Sequence, residues 1–187
     1  MKQGLLFMLF ILGCQSTVPK PKAQLDLAYP KAIYKTYKSP CTYQFKHNDI
    51  SNPNALSACS TTLEYPLLQA KLYLTYFDLT QTSLDTLLLD FDKRLQLFGK
   101  TASKAQESAF ESKQNNVLGS CVMLVGNSPS NLHFFGTDAK NHFLTGSLLF
   151  ESTPNYDSLA PAIAYIKNDV QQLLESLKWE QEKTISF

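Results

Sequence analysis

The stretch Gly126–Trp179 constrains this chain more than any other. It reads GNSPSNLHFFGTDAKNHFLTGSLLFESTPNYDSLAPAIAYIKNDVQQLLESLKW. Leu132–Thr137 and His142–Phe150 are strand patterns separated by Asp138-Ala139-Lys140-Asn141, and Asp and Asn side chains bond nearby backbone and favour turns. The spacing predicts a hairpin. Alternation places His142, Leu144, Gly146, Leu148 and Phe150 on one face, with Thr145 and Ser147 on the other. After PNYDS, Asp157 or Ser158 is expected to cap a helix that tolerates Pro161 in its first turn. Ile163, Ile166, Val170, Leu173 or Leu174, and Leu177 recur at helical spacing and predict its buried stripe. Trp179 is expected to close the core at the helix's end.

Upstream, Thr42–Lys46, Ser60–Tyr65 and Gln69–Phe77 read as strands, with Pro66 breaking the last two. In the third, Ala70, Leu72, Leu74 and Tyr76 face one way. Thr82-Ser83-Leu84-Asp85 starts a helix like a capping box. From there Leu84, Leu88, Phe91, Leu95, Phe98, Ala102 and Ala105 predict one apolar stripe on a long helix over 83–106. The charges Asp85, Asp90, Asp92, Lys93 and Arg94 mostly lie off it and read as a solvated face. Glu107–Ser112 is a strand candidate. Val117–Gly126 is apolar on both alternations, which predicts a central strand covered on both faces. Tyr29–Lys38 alternates Tyr and Lys, either as a solvated edge strand or as a basic surface toward anionic lipid or a partner. The order is β-β-β-α-β-β-β-β-α. It predicts a single α+β domain over 29–187, a largely antiparallel sheet packed by two long helices.

Ahead of that domain lies an address. Leu5–Leu12 is an unbroken apolar run behind a short basic start, too short to span a bilayer and suited to a signal peptide over 1–13. Ile11-Leu12-Gly13-Cys14 fits a bacterial lipobox, with cleavage before Cys14 and acylation of that cysteine. Several acyl chains on one residue make a stable membrane anchor. Residues 14–28 then read as lipidated cysteine and tether. Cleavage removes Lys2 from the 17 basic residues, so 16 basic and 16 acidic residues remain. That balance argues against nucleic-acid binding through phosphate neutralisation. An exported chain permits disulfides. Cys41 and Cys59 flank a polar stretch, and a bridge between them would contribute about 3 kcal/mol. Three free thiols are the alternative. Cys121 sits in an apolar strand and reads as a buried thiol.

The chemistry-bearing residues do not assemble a catalytic pattern. Ser130, His133 and Asp138 supply the letters of a triad, but His133 and Asp138 alternate to opposite faces. Gly126–Ser130 lacks the spacing of a nucleophile elbow. Of the three histidines, His47 lies in the expected disulfide loop. With the hairpin turning at 138–141, His142 pairs near Thr137 and His133 near Gly146. Four residues along a strand span about 13 Å, too far for one metal ion. No cofactor is expected. Asp138, His142, Asn155, Tyr156 and Asp157 are instead the candidate docking surface. For each taken singly a turn-forming or core role is the competing reading.

A family resemblance spans about 150 residues. Its blocks are Tyr29-Pro30 with the following tyrosines, Cys41 with an aromatic two residues on, and Leu72-Tyr73-Leu74-Thr75-Tyr76. Gly126-Asn127 with Ser130, Phe134-Phe135, Thr137-Asp138 and His142–Leu148 follow in order. Pro154–Ser158 and Glu175–Trp179 complete it. Together they resemble the GldD gliding motility lipoproteins of Bacteroidetes. Two positions depart from the pattern: Pro129 stands for a small residue and His133 for glutamine. The resemblance implies a non-enzymatic envelope lipoprotein of the gliding machinery and the associated type IX secretion system. It implies protein–protein contacts with other envelope lipoproteins. Without an acidic cluster after Cys14, the expected location is the periplasmic face, on the outer membrane. The element order also resembles PsbP-like domains. A periplasmic small-ligand-binding module or a hydrolase-like enzyme is the alternative function.

Overall fold

A computed structural model describes residues 29–57 and 59–180. The expected signal peptide, tether and Cys14 lie outside the described residues. The alternating apolar patterns become strands β1 (Tyr34–Lys38), β2 (Tyr43–Asn48), β3 (Asn52–Ala55), β4 (Ser60–Tyr65) and β5 (Ala70–Asp78). Helix α1 (Leu84–Phe98) follows, then β6 (Ala102–Ser112), β7 (Val117–Gly126), β8 (Leu132–Thr137) and β9 (His142–Phe150). Helix α2 (Tyr156–Ser176) and β10 (Lys178–Trp179) end the domain. The fold is α+β. Seven strands form one antiparallel sheet in the order β3-β4-β5-β9-β8-β7-β6, and β1-β2-β10 form a second, smaller one.

One face of the large sheet meets α2 and the small sheet. There Leu72, Leu74, Phe134, Leu144 and Leu148 pack with Ile163, Ile166, Val170, Leu173 and Leu177 of the helix side, and with Tyr43 and Phe45 of β2. Each such fully buried side chain contributes about 2 kcal/mol of transfer free energy. The other face meets α1, where Phe91 packs on Val122 and Leu124, with Leu95, Phe98 and Phe135 around them. Strand β7 is therefore covered on both faces, Val117 and Cys121 toward α2 and Val122 and Leu124 toward α1. It is not central, however. It stands next to the edge strand β6, and the middle position belongs to β9.

Several boundaries differ from expectation for local reasons. Helix α1 stops at Phe98, and a 3-10 turn at Gly99–Thr101 reverses the chain. Ala102 and Ala105 continue the helical spacing by coincidence and lie in β6, opposite Gly126 and Leu124. Leu87 joins the buried stripe. Helix α2 begins earlier than expected, with Asn155 at the N-cap and no side-chain cap bond from it. Asn127, from the β7–β8 turn, accepts the Tyr156 backbone N–H instead, at 2.9 Å. The polar stretch behind Cys41 holds β3, an edge strand in which Pro53 is tolerated. Trp179 lies half-buried in β10, which pairs with β2. The hairpin pairs Thr137 with Phe143 and His133 with Ser147, one residue beyond the register expected. Among the described residues no helix is long and apolar enough to cross a membrane.

Candidate functional site

The hairpin turn between β8 and β9 is built on one carboxylate. Asp138 Oδ1 accepts from the backbone N–H groups of Lys140, Asn141 and His142 at 3.0, 2.9 and 2.9 Å. Thr137 Oγ1 accepts from Ala139 N–H and donates to the His142 carbonyl, which holds Ala139 at a φ of 59°. Burial pushes the Asp138 carboxyl up, but the three N–H donors and the nearby His142 outweigh it and hold its pKa below the ordinary range. The carboxylate therefore stays ionised as a structural anion of the turn.

His142 leaves that turn into an aromatic cluster. Its ring stacks on Trp179, with centroids 5.0 Å apart and planes 14° off parallel. Its Nδ1 lies 2.7 Å from the Tyr76 hydroxyl, and that hydroxyl lies 2.9 Å from Thr42 Oγ1. Its Nε2 lies 4.0 Å from Asp138 Oδ2. Tyr76 also stacks on Tyr43, and the Trp179 indole N–H donates to the Asn116 carbonyl. Five segments distant in sequence thus converge: β2, β5, the β6–β7 turn, the β8–β9 hairpin and β10. Two clefts open beside them. One, of about 400 Å³, is lined by Thr42, Tyr76, Asp78, His142 and Glu180 among others. The second, of about 450 Å³, shares Thr42, Tyr76 and Asp78 and runs along Cys41 and Cys59. Those two cysteines form a disulfide, Cα to Cα 5.5 Å, that joins the start of β2 to the start of β4.

The expected docking residues fall at two places. Asp138 and His142 share the hairpin end. Asn155, Tyr156 and Asp157 follow the far end of β9, beside Asn127. Eight steps along β9 separate the two ends by about 26 Å. They do not form one surface.

The remaining sequence candidates have structural partners. Ser130 Oγ donates to the Leu148 carbonyl, and His133 Nε2 faces the Ser130 carbonyl while its Nδ1 meets Ser147 Oγ at 3.0 Å. Serine hydroxyl, imidazole and Asp138 carboxylate do not converge. Burial pushes the His133 pKa down to about 4, so the ring is neutral, and it stacks on Phe98. His47 is buried against Ser51 and the Asn48 carbonyl, and desolvation lowers its pKa too. Burial pushes the Cys121 thiol up to about 11. Among the described residues no group of three or more His, Cys, Asp or Glu side chains is arranged to hold a metal ion.

One polar centre escapes sequence reasoning. Asp169 on α2 is 3% exposed and accepts from the Tyr34 hydroxyl at 2.9 Å and from Asn48 Nδ2 at 3.1 Å. Asn48 Nδ2 also donates to the Tyr165 hydroxyl, which donates to the Pro30 carbonyl. This network ties the first described residues to α2. A charged residue on the buried stripe was the available signal, since such a residue is rarely inside without partners.

Two comparisons complete the picture. The family described as gliding motility lipoprotein GldD matches residues 14–179. No curated protein matches the chain.

Proposed function

Because the chain belongs to the GldD family of gliding motility lipoproteins, we propose that it is a non-enzymatic accessory component of the gliding machinery and its associated type IX secretion system. It is anchored through Cys14 to the periplasmic face of the outer membrane and acts through contacts with other envelope lipoproteins. The observation that carries the docking assignment is the Asp138–His142 hairpin end. It is held by the turn carboxylate and the Trp179 stack, and it borders the cleft lined by Thr42, Tyr76 and His142. A rigid, concave surface of this kind suits protein recognition, because little order is lost on binding. The Asn155–Asp157 loop is a separate contact at the far end of β9. The non-enzymatic reading rests on the family, described as gliding motility lipoproteins.

The test uses the exposed hairpin tip, so that the buried cluster stays intact. Lys140→Glu with Asn141→Trp should abolish surface spreading and reduce secretion while folded, membrane-bound protein remains at its normal level. A photo-crosslinking residue at position 140 should capture an envelope protein in intact cells. Normal spreading with the double substitution would sink the docking assignment. The clefts also suit a small-ligand module, in which case the purified protein alone would bind a small molecule and the hairpin substitutions would leave partner capture unchanged.

A further inference from the structure

The small sheet has one face that changes character along its length. In register, Tyr34 stands opposite Asn48, Thr36 opposite Lys46, and Lys38 opposite Gln44, which faces Lys178 on its other side. Residues directly opposite one another share a face. At the Tyr34–Asn48 end, α2 covers this face and its Asp169 takes both donors. Helix α2 ends at Ser176, and beyond it the face is open: Thr36, Lys38, Lys46 and Lys178 are all exposed.

The open half is basic. Lys38, Gln44 and Lys178 form one row across the three strands, with Lys46 two residues further along β2. None of these three lysines makes an ion pair among the described residues. Glu175, the carboxylate that lines the same groove, accepts instead from the side-chain amides of Gln171 and Gln172 at 2.8 and 2.7 Å. Glu180 turns into the cleft beside His142. The groove itself, about 400 Å³, lies between Gln44, Lys46 and Lys178 of the sheet and Gln114 and Asn115 of the β6–β7 turn. Like charges on neighbouring strands repel. An anionic surface laid against this face relieves that repulsion, and the amides supply donors to phosphate oxygens.

Position along the chain identifies that surface. Strand β1, which carries Lys38, is the first element among the described residues, and the family match begins upstream of it at Cys14. The 24 residue steps from Cys14 to Lys38 reach at most about 85 Å. The basic face is thus tethered to a bilayer at high effective concentration. We propose that the open Lys38–Lys46–Lys178 face of the small sheet docks on anionic phospholipid headgroups of the membrane that holds the anchor, and so orients the domain. This rests on anchorage at Cys14.

Trp179, the chain's single tryptophan, follows Lys178 but pairs with Tyr43, so its ring lies on the opposite face of the small sheet, and it reports the approach of a bilayer to this end of the sheet. The acylated protein, purified from membranes, is placed in nanodiscs of phosphatidylcholine alone or with about one-third phosphatidylglycerol, both carrying a headgroup nitroxide. Quenching of Trp179 should be about twofold stronger with phosphatidylglycerol and should fall to the neutral-lipid level in about 0.5 M salt. K38E/K46E/K178E should remove the difference with the near-ultraviolet circular dichroism unchanged. K93E/K100E/K104E, an equal charge change elsewhere, should keep it. Equal quenching in the two lipids, or equal loss in both triple variants, would overturn the assignment. Mass spectrometry of the Cys14 peptide reads anchorage separately, so failure of the anchor and failure of the orienting face are told apart.

Discussion

His133 illustrates how a buried polar side chain sets a pH limit. Its pKa falls from 6.5 to about 4 because burial disfavours the imidazolium. The unfolded chain therefore takes up a proton below about pH 6.5 that the folded chain refuses until about pH 4. Stability is fully present above pH 6.5 and is lost as pH falls through that window, by about 3 kcal/mol in all. His47 acts in the same direction. Asp169 acts oppositely, since burial raises its carboxyl above the ordinary value, and it favours the folded state as pH falls through that raised value. His133→Gln keeps a partner for Ser147 and does not titrate. Urea unfolding at pH 7 and pH 4.5 should show a flatter pH dependence in this variant than in the parent; an unchanged slope would assign the acid sensitivity elsewhere. Asp169→Ala should destabilise by about 3 kcal/mol at neutral pH, because the Tyr34 and Asn48 donors lose their buried acceptor. Tyr34→Phe should cost much less, since Asn48 still satisfies the carboxylate.

At the scale of elements, strand β7 and its neighbours place the tightest demands. A Cβ at Gly119 would run into the Phe135 carbonyl oxygen of β8, which is backbone and cannot move alone. At Gly136 it would come 3.1 Å from the side-chain ends of Leu174 and Leu177, which can turn aside. Gly119→Ala should therefore lower the unfolding midpoint clearly more than Gly136→Ala, by about 2 kcal/mol or more. Strand β10 is two residues long, yet it seats Trp179 on His142 and bonds Asn116. Trp179→Ala should cost about 2 kcal/mol, and it should also weaken partner capture at the hairpin. Neither β10 nor the start of β6 was legible in the sequence. Two residues carry no periodicity, and Ala102 and Ala105 fit a helical stripe as well as a strand because alanine is small enough for both. The long strands and α2 were legible because their apolar residues recur over nine or more positions.

For the whole molecule, the Cys41–Cys59 disulfide joins the small sheet to the large one and brackets the aromatic cluster. Cys59 accepts the Tyr76 backbone N–H at 3.1 Å, and Thr42, next to Cys41, meets the Tyr76 hydroxyl. Cys41→Ser with Cys59→Ser should lower stability by about 3 kcal/mol, the entropy of a loop of this length. It should also loosen Tyr76, seen as faster hydrogen exchange at the start of β4 and along β5. Unchanged exchange there would mean that the stacked rings hold the cleft without the bridge. The α+β class, the hairpin, the closing helix and the family blocks were all written in the sequence, because each is a local pattern of side chains along the chain. The meeting of Thr42, Tyr76, His142 and Trp179, the separation of Asp138 and His142 from the Asn155–Asp157 loop, and the buried Asp169 were decided only by the tertiary structure. Each depends on which strand lies beside which, and strand order is set by how two sheets and two helices cover each other's apolar faces, not by any one segment.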